Sequence, residues 1–355
     1  MNILIVGAGP AGLTAGVELA RRGMSATIID RRAGGSTLSR AVGIVPFSLK
    51  LLEPSGITAR LLDEGISMQA VKFYSGDKPL AAIPLGPPNP KYGYGHILML
   101  PQDQTEAALA DAFAALGGTI RYNTEFEGLS QDNDAVAVTL SGGACETYDY
   151  IVGADGTKSS VRAALGLDYP GHDLGEIWSI ADVNCNAWTN PEDFTLCILP
   201  AGGIAVVAPI GVDRCRVISN TPDALKSLPL PMDITQVNRE GQFTISVRQV
   251  GDYRKGRVFL AGDAAHCHSP VGGRGMNLGI ADACELAACI ESGDLERYGH
   301  VRHKAGAETI AGSERVRKMA TATNPLRRMA FRTALKTVNA SSFLRSKMAE
   351  GFLYG

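Results

Sequence analysis

The sequence is short of the features that mark several large classes of protein. Its seven cysteines are scattered, odd in number and never spaced Cys-x-x-Cys. That excludes a disulfide framework or a zinc ribbon and fits a reducing cytoplasm. No uninterrupted apolar run reaches the roughly 18 residues of a membrane-spanning helix, so no transmembrane segment is expected. A net charge of -2 gives no overall electrostatic case for nucleic acid. No internal repeat or low-complexity stretch occurs. Apolar residues are plentiful: 45% of the chain is hydrophobic and 20% charged, so a sizeable core can form and disorder is not expected. The 355 residues suit about two domains of ~150 residues, or one large intertwined α/β body.

The apolar stretch from Met1 to Ala20 lacks the basic start of a secretory leader, and a glycine-rich turn interrupts it. Charge is uneven along the chain. From Val301 onward eleven Lys/Arg stand against three Asp/Glu. This end reads either as a membrane-surface or partner-docking tail, or as solvated helical faces packed on an acidic body.

The first fifty residues carry the strongest pattern. Asn2 to Val6 is a short, continuously apolar run of the kind found in central parallel strands buried on both faces. It leads directly into Gly7-Ala8-Gly9-Pro10-Ala11-Gly12. Leu13 to Arg22 then has helical spacing, with Leu13, Val17 and Ala20 on one face, and Gly23 stops it. A second strand, Ser25 to Ile29, ends in Asp30, followed by Arg31. Gly7 permits the tight strand-to-helix turn, Gly9 lets a pyrophosphate approach the backbone, and Gly12 allows helix and strand to pack closely. The helix N-terminus offers free N–H groups and partial positive charge. A carboxylate at Asp30 is placed to accept hydrogen bonds from a ribose diol. Up to this point either FAD or NAD fits.

Two later segments repeat the strand-then-acid logic. Tyr150 to Gly153 is an apolar strand leading to Asp155-Gly156, and Ser159 to Val161 can open a helix with Arg162 in its first turn. Arg257 to Ala261 leads to Gly262-Asp263-Ala264-Ala265-His266, then to Ser269-Pro270-Val271-Gly272-Gly273-Arg274-Gly275-Met276-Asn277, and a long helix over Leu278 to Glu291. All three motifs, in this order and spread over essentially the whole chain, resemble the p-hydroxybenzoate hydroxylase family, the class A flavoprotein monooxygenases.

The resemblance implies FAD as cofactor, held by Gly7, Gly9, Pro10, Ala11, Gly12, Asp30, Arg31, Arg40, Gln102, Asp155, Gly262, Asp263, Pro270, Gly273, Gly275, Met276 and Asn277. It implies that Asp263 bonds the ribityl chain and that the loop from Gly273 to Asn277 lies beside the flavin ring. There a helix N-terminus would stabilise the negative charge of the reduced ring. Asp155 would sit near both FAD and the path of NAD(P)H, although it also fits a plain helix cap. Arg40 matches an arginine placed near the flavin, although a surface ion pair is the alternative. Gln102 matches a glutamine that contacts FAD. His266 reads as structural. His266-Cys267-His268 has metal-ligand residue types, but no further ligand is evident nearby and no metal is assigned. Arg274 departs from the family's frequent glutamine, and either adds charge beside the flavin or faces solvent.

The fold expected is α/β. A discontinuous Rossmann-like FAD-binding domain is drawn from 1-66, 100-175 and 251-299. A mixed or antiparallel sheet domain for the substrate comes from 67-99 and 176-250, and 300-355 forms a C-terminal helical segment interrupted at Pro325. That end is too short for the thioredoxin-like domain of some relatives. Met99, Trp178 and Pro270 are candidate pocket walls, although an apolar strand residue is as readily plain core.

The mechanism that the resemblance implies uses NAD(P)H and O2 to hydroxylate a small aromatic or quinonoid substrate through a flavin C4a-hydroperoxide, shielded from water. No catalytic base is identified; His96 and His268 are the candidates. No second glycine fingerprint for NAD(P)H is present. A halogenase or an isoprenoid-chain reductase on the same scaffold is an alternative, though a halogenase's Trp-x-Trp-x-Ile-Pro stretch is missing. A flavoprotein that binds FAD and an intermediate without turnover is another. An NAD-dependent dehydrogenase would leave the late Gly-Asp motif without a purpose. Oligomeric state is unreadable from the sequence.

Overall fold

The computed structural model describes residues 1–36, 41–88 and 93–354. Asn2–Val6 lies between two parallel neighbours, Tyr150–Gly153 on one side and Ser25–Ile29 on the other. This explains its unbroken apolar run: Ile3, Leu4 and Ile5 are fully buried because helices cover both faces of such a sheet. The sheet continues outward with Val258–Leu260 and Arg254–Lys255 at one edge and Thr119–Arg121 at the other, giving six strands. Strands distant in sequence thus become neighbours, and the residues carrying the three motifs assemble along the carboxyl ends of adjacent parallel strands.

A second sheet has eight strands, in the order His266–Cys267, Asp233–Gln249, Gly171–Asn186, Arg214–Ser219, Ile204–Gly211, Phe194–Ile198, Ala70–Ser75 and Lys78–Pro84. It is antiparallel except where Phe194–Ile198 runs parallel to Ala70–Ser75. Its two long strands, Gly171–Asn186 and Asp233–Gln249, pair along most of their length. Leu98–Met99, placed with this sheet on sequence grounds, pairs instead with Gly43–Ile44 and Ile66–Ser67 in a small sheet of three strands. Another three-stranded sheet, spanning Phe126–Gln131, Val136–Leu140 and Ala144–Tyr148, has no counterpart in the sequence reading.

The helices start earlier than apolar periodicity alone suggests. The first spans Pro10–Ala20, with Pro10 in its opening turn, where a missing N–H costs nothing. The loop helix after the third motif spans Gly275–Ser292. The chain then forms helices Leu295–Ala320, Pro325–Ala340 and Ser342–Tyr354. Pro325 therefore opens a helix, capped by the Asn324 side chain, rather than interrupting one. The last two helices pack on Lys78–Pro84, where Leu335 and Ala349 join Met68, Phe73 and Ile83 in an apolar cluster. No helix of the described residues is long and apolar enough to cross a membrane.

Candidate functional site

The three motifs interlock through groups too close to admit side chains. A Cβ on Gly12 would lie 1.9 Å from the Gly7 carbonyl oxygen, and one on Gly7 would lie 2.4 Å from that of Ala154. The first motif is therefore seated directly on the second. A Cβ on Gly262 would stand 3.0 Å from the Ala11 Cβ, and one on Gly279 3.2 Å from the same atom. Ala11, at the start of the first helix, thus touches both the third motif and its helix. Arg162 ties the second motif to the third: its guanidinium donates to the Ala264 carbonyl at 2.9 Å and to the Thr157 carbonyl at 2.8 Å. Tyr169, stacked under Arg162 at 3.9 Å, donates its hydroxyl to the Asp263 carbonyl at 2.8 Å.

The surface these contacts create suits a dinucleotide. A Cβ on Gly9 would meet nothing within 4 Å, so that stretch of backbone faces open space. No side chain caps the helix that follows, leaving its first N–H groups to an incoming anion. Asp155 lies beside Gly7. One of its carboxylate oxygens accepts from the amides of Ser160 and Val161 at 2.7 and 3.2 Å, which makes Asp155 a helix cap. Its other oxygen, Oδ1, is buried and has no partner among the described residues. Burial raises this carboxyl's pKa, against the donors that hold it. Asp155 thus caps the helix with one oxygen and leaves the other for a second role. Asp263 is exposed on the tight turn Gly262–Ala264.

At the far end of the motif, Asp30 is almost fully engaged by protein. Ala8 N–H donates to it at 2.8 Å, and Arg32 adds its own amide at 2.8 Å and a two-pronged guanidinium at 3.0 and 2.9 Å. Burial opposes ionisation of Asp30, but these donors outweigh it and hold the carboxyl below its usual range. Arg32 also donates to the Ala8 carbonyl and lies 3.7 Å from Glu106, whose pKa burial raises. Arg31 is exposed, and its neighbour Arg32 turns onto Asp30 and the Ala8 carbonyl. A side chain one position along a strand end points the opposite way, and periodicity alone does not say which of two adjacent arginines turns inward. Gln102 bridges this region to the next, accepting from the Ala41 amide at 3.1 Å and donating to Glu106 at 2.8 Å. Arg40 lies outside the described residues.

The third motif is anchored by a group that the sequence reading missed. Asp282, fully buried in the loop helix, accepts the Gly262 amide at 2.9 Å, the His266 Nε2–H at 2.6 Å and the Arg302 Nε–H at 2.6 Å. Burial disfavours its charge, yet His266 and Arg302 prevail and its pKa is lowered. His266 is held by this carboxylate and stacks on Tyr253, and its Nδ1 is buried without a partner among the described residues. The signal in the sequence was a lone acid within the apolar and small-residue run from Met276 to Ala283.

The loop itself is held from two sides. Asn277 accepts the Val45 amide at 2.9 Å and donates to the carbonyls of Gly43 and Gly273 at 2.8 and 2.9 Å, so its side chain is used in positioning the loop. Gly273 has φ +64, in the left-handed region, while Pro270 is exposed and Met276 buried. Arg274 reaches from the loop to the last helix. It donates to the Gly351 and Phe352 carbonyls at 3.2 and 3.1 Å, at the carboxyl end of the last helix, where cations are favoured. Arg274→Met is expected to weaken the fold by about 2 kcal/mol and to make Ser342–Tyr354 the first segment cut in limited proteolysis. Unchanged cleavage would show that the latch contributes nothing.

Met99 and Trp178 occupy different apolar clusters. Met99 packs with Ile83, Ala208 and Leu335, and Trp178 with Ile204, Ala320 and Val271 of the loop. His96 has a buried Nε2 without a partner among the described residues, and burial lowers its pKa. A cavity of about 400 Å³ between Pro84–Pro88 and the last helix is lined by none of the motif residues.

Comparison with known proteins agrees with this geometry. Residues 1–224 and 209–313 match the family model described as an FAD binding domain. The chain is 32% identical over 335 residues to a rifampicin monooxygenase of Streptomyces venezuelae, covering 87% of this chain and 69% of that protein. It is 30% identical over 342 residues to pentachlorophenol 4-monooxygenase of Sphingobium chlorophenolicum, covering 88% of this chain and 63% of that one. The chain thus spans about two thirds of the length of these curated relatives. In fold it resembles the crystal structure of p-nitrophenol 4-monooxygenase from Pseudomonas putida, with a TM-score of 0.90 over 99% of this chain and 96% of that one at 22% identity. With the three glycine motifs locked into one surface and a family match over most of its length, the chain belongs to the FAD-binding family that includes the flavin-dependent monooxygenases, and its cofactor is FAD.

Proposed function

We propose that this flavoprotein is a monooxygenase that uses NAD(P)H and O2 to hydroxylate a small aromatic or quinonoid substrate. The observation that carries the reading is the contact of the first motif with both others, through Ala154 against Gly7 and Gly12 and through Gly262 against Ala11. In this reading the pyrophosphate lies over Gly9 and the N-terminus of Pro10–Ala20, and the adenosine end meets Asp30 and Arg32. Asp155 and Asp263 face the middle of the cofactor, and Gly273 to Asn277 flank the ring. Bound FAD supplies hydride acceptance from NAD(P)H and, once reduced, transfer of one oxygen atom of O2 to the substrate, with the other leaving as water.

The protein's own part is binding, orientation and exclusion of water. The N-terminus of Gly275–Ser292 supports negative charge on the reduced ring. The eight-stranded sheet covers the substrate side and keeps water from the reactive centre. A phenol ring is supported by the named activity of the pentachlorophenol relative. The scattered free cysteines support a reducing, cytoplasmic setting.

The test is a visible spectrum followed by NADH and NADPH oxidation against a panel of aromatic compounds. A yellow protein whose oxidation of one nucleotide is accelerated by a compound, with that compound hydroxylated, is the expected outcome. A yellow protein that never consumes either nucleotide points to the binding-protein alternative. A colourless protein that cannot be reconstituted with FAD sinks the reading.

A further inference from the structure

His268 stands two residues beyond His266, between the Gly-Asp turn and the loop. Its Nδ1–H donates to the Ser269 carbonyl at 2.8 Å. A carbonyl oxygen only accepts, so the proton of the neutral ring sits on Nδ1 and the lone pair on Nε2. That Nε2 is buried and has no partner among the described residues. It lies 3.9 Å from where a Cβ on Gly275 would stand, against the first residue of the loop helix. A buried acceptor left without a donor is costly, and such a group beside the third motif calls for a partner that arrives with a ligand.

We propose that His268 Nε2 accepts a hydrogen bond from an N–H or O–H group brought by FAD or by the aromatic substrate. This makes His268 a binding residue of the site. The proposal rests on the flavoenzyme reading above. The surrounding groups favour a neutral, accepting ring. Burial lowers the His268 pKa, and the nearby His266 and Arg274 act in the same direction, against the opposing pull of Asp263 and the Ser269 carbonyl. FAD brings donors on its ring and ribityl chain, and a phenolic substrate brings its hydroxyl. Both sources share one chemistry, a donor aimed at a fixed lone pair.

Two variants separate these sources. In His268→Gln the amide oxygen reaches the Nε2 position and can still accept, whereas His268→Phe keeps a ring without an acceptor. If the donor belongs to FAD, the Phe variant binds FAD about tenfold more weakly and the Gln variant largely recovers. If it belongs to the substrate, FAD affinity is unchanged in both. In that case KM for a turned-over phenol rises about tenfold in the Phe variant alone, with kcat little altered. Nitrogen NMR of the histidine-labelled holoenzyme is expected to show His268 neutral and protonated on Nδ1. Protonation on Nε2, equal losses in the Gln and Phe variants, or no loss in either, overturns the proposal. If the wild-type holds FAD but oxidises no reduced nucleotide with any phenol, the monooxygenase reading fails. The proposal then stands or falls on FAD affinity and the NMR signal.

Discussion

Replacing Gly12 by alanine is expected to give a protein that purifies without flavin and melts several degrees lower than the wild-type. The added Cβ would lie 1.9 Å from the Gly7 carbonyl oxygen and 3.3 Å from the Ala154 Cβ. Backbone, unlike the tip of a flexible side chain, cannot swing aside, so the strand-to-helix turn must open. Overpacking of this kind costs about 3 kcal/mol or more. It also moves the helix N-terminus on which an anion would rest. Gly9→Ala is the informative control. Gly9 has extended backbone angles, φ -86 and ψ -178, and a Cβ there meets nothing within 4 Å. This variant should fold with nearly unchanged Tm yet bind FAD at least about tenfold more weakly, since its methyl group occupies the approach of the pyrophosphate. Titration of the apoproteins with FAD, followed by flavin fluorescence, separates the two effects. Undiminished affinity in Gly9→Ala would remove the pyrophosphate from this loop.

The second large effect is expected at Asp282. Asp282→Asn leaves Arg302, itself buried, without its carboxylate, and weakens the acceptor that fixes the Gly262 amide. Breaking one side of a buried ion pair costs about 3–5 kcal/mol, because the remaining charge is stranded. Thermal melts should show this, and FAD affinity should fall with it because the Gly-Asp turn loses its tether. The double variant Asp282→Asn, Arg302→Met should recover part of the loss. If it melts no higher than the single variant, the stranded charge is not the cause.

The same carboxylate shapes acid stability. Asp282 and Asp30 both have pKa values lowered in the fold. Their contribution is present above the unfolded value of about 3.9 and is lost as pH falls through the lower native value. As pH falls below about 4 the wild-type should therefore lose stability on this acid limb, and Asp282→Asn should show a shallower one. Parallel acid limbs in the two proteins would count against an ionised Asp282.

How far the sequence was legible depended on how local each determinant is. Asn2–Val6 and Ser25–Ile29 were read to the residue, because runs of β-branched and apolar residues bounded by glycine and an acid speak for themselves. The first helix was read as starting at Leu13 but begins at Pro10. Apolar spacing marks the buried face, whereas the helix starts where the chain first adopts the geometry that proline favours. The motif residue His266 is evident in the sequence, whereas its partner Asp282 is marked there only as one more residue of a helix.

Pairings that cross the chain were out of reach of periodicity. Leu98–Met99 lies in an apolar run, yet joins Gly43–Ile44 in another sheet, since strand pairing depends on what lies beside a segment in space. Arg274 could have faced flavin or water, and it meets the last helix, more than seventy residues on, only because that helix returns across the sheet. The sequence alone determined three cofactor motifs and their order, because a glycine between strand and helix is a local steric requirement. The tertiary structure decided that the first motif packs on the second at Ala154 and on the third at Ala11, that Arg32 turns to Asp30, and that Asp282 anchors the Gly-Asp turn. Each of those depends on distances between elements, which packing sets and residue spacing does not encode.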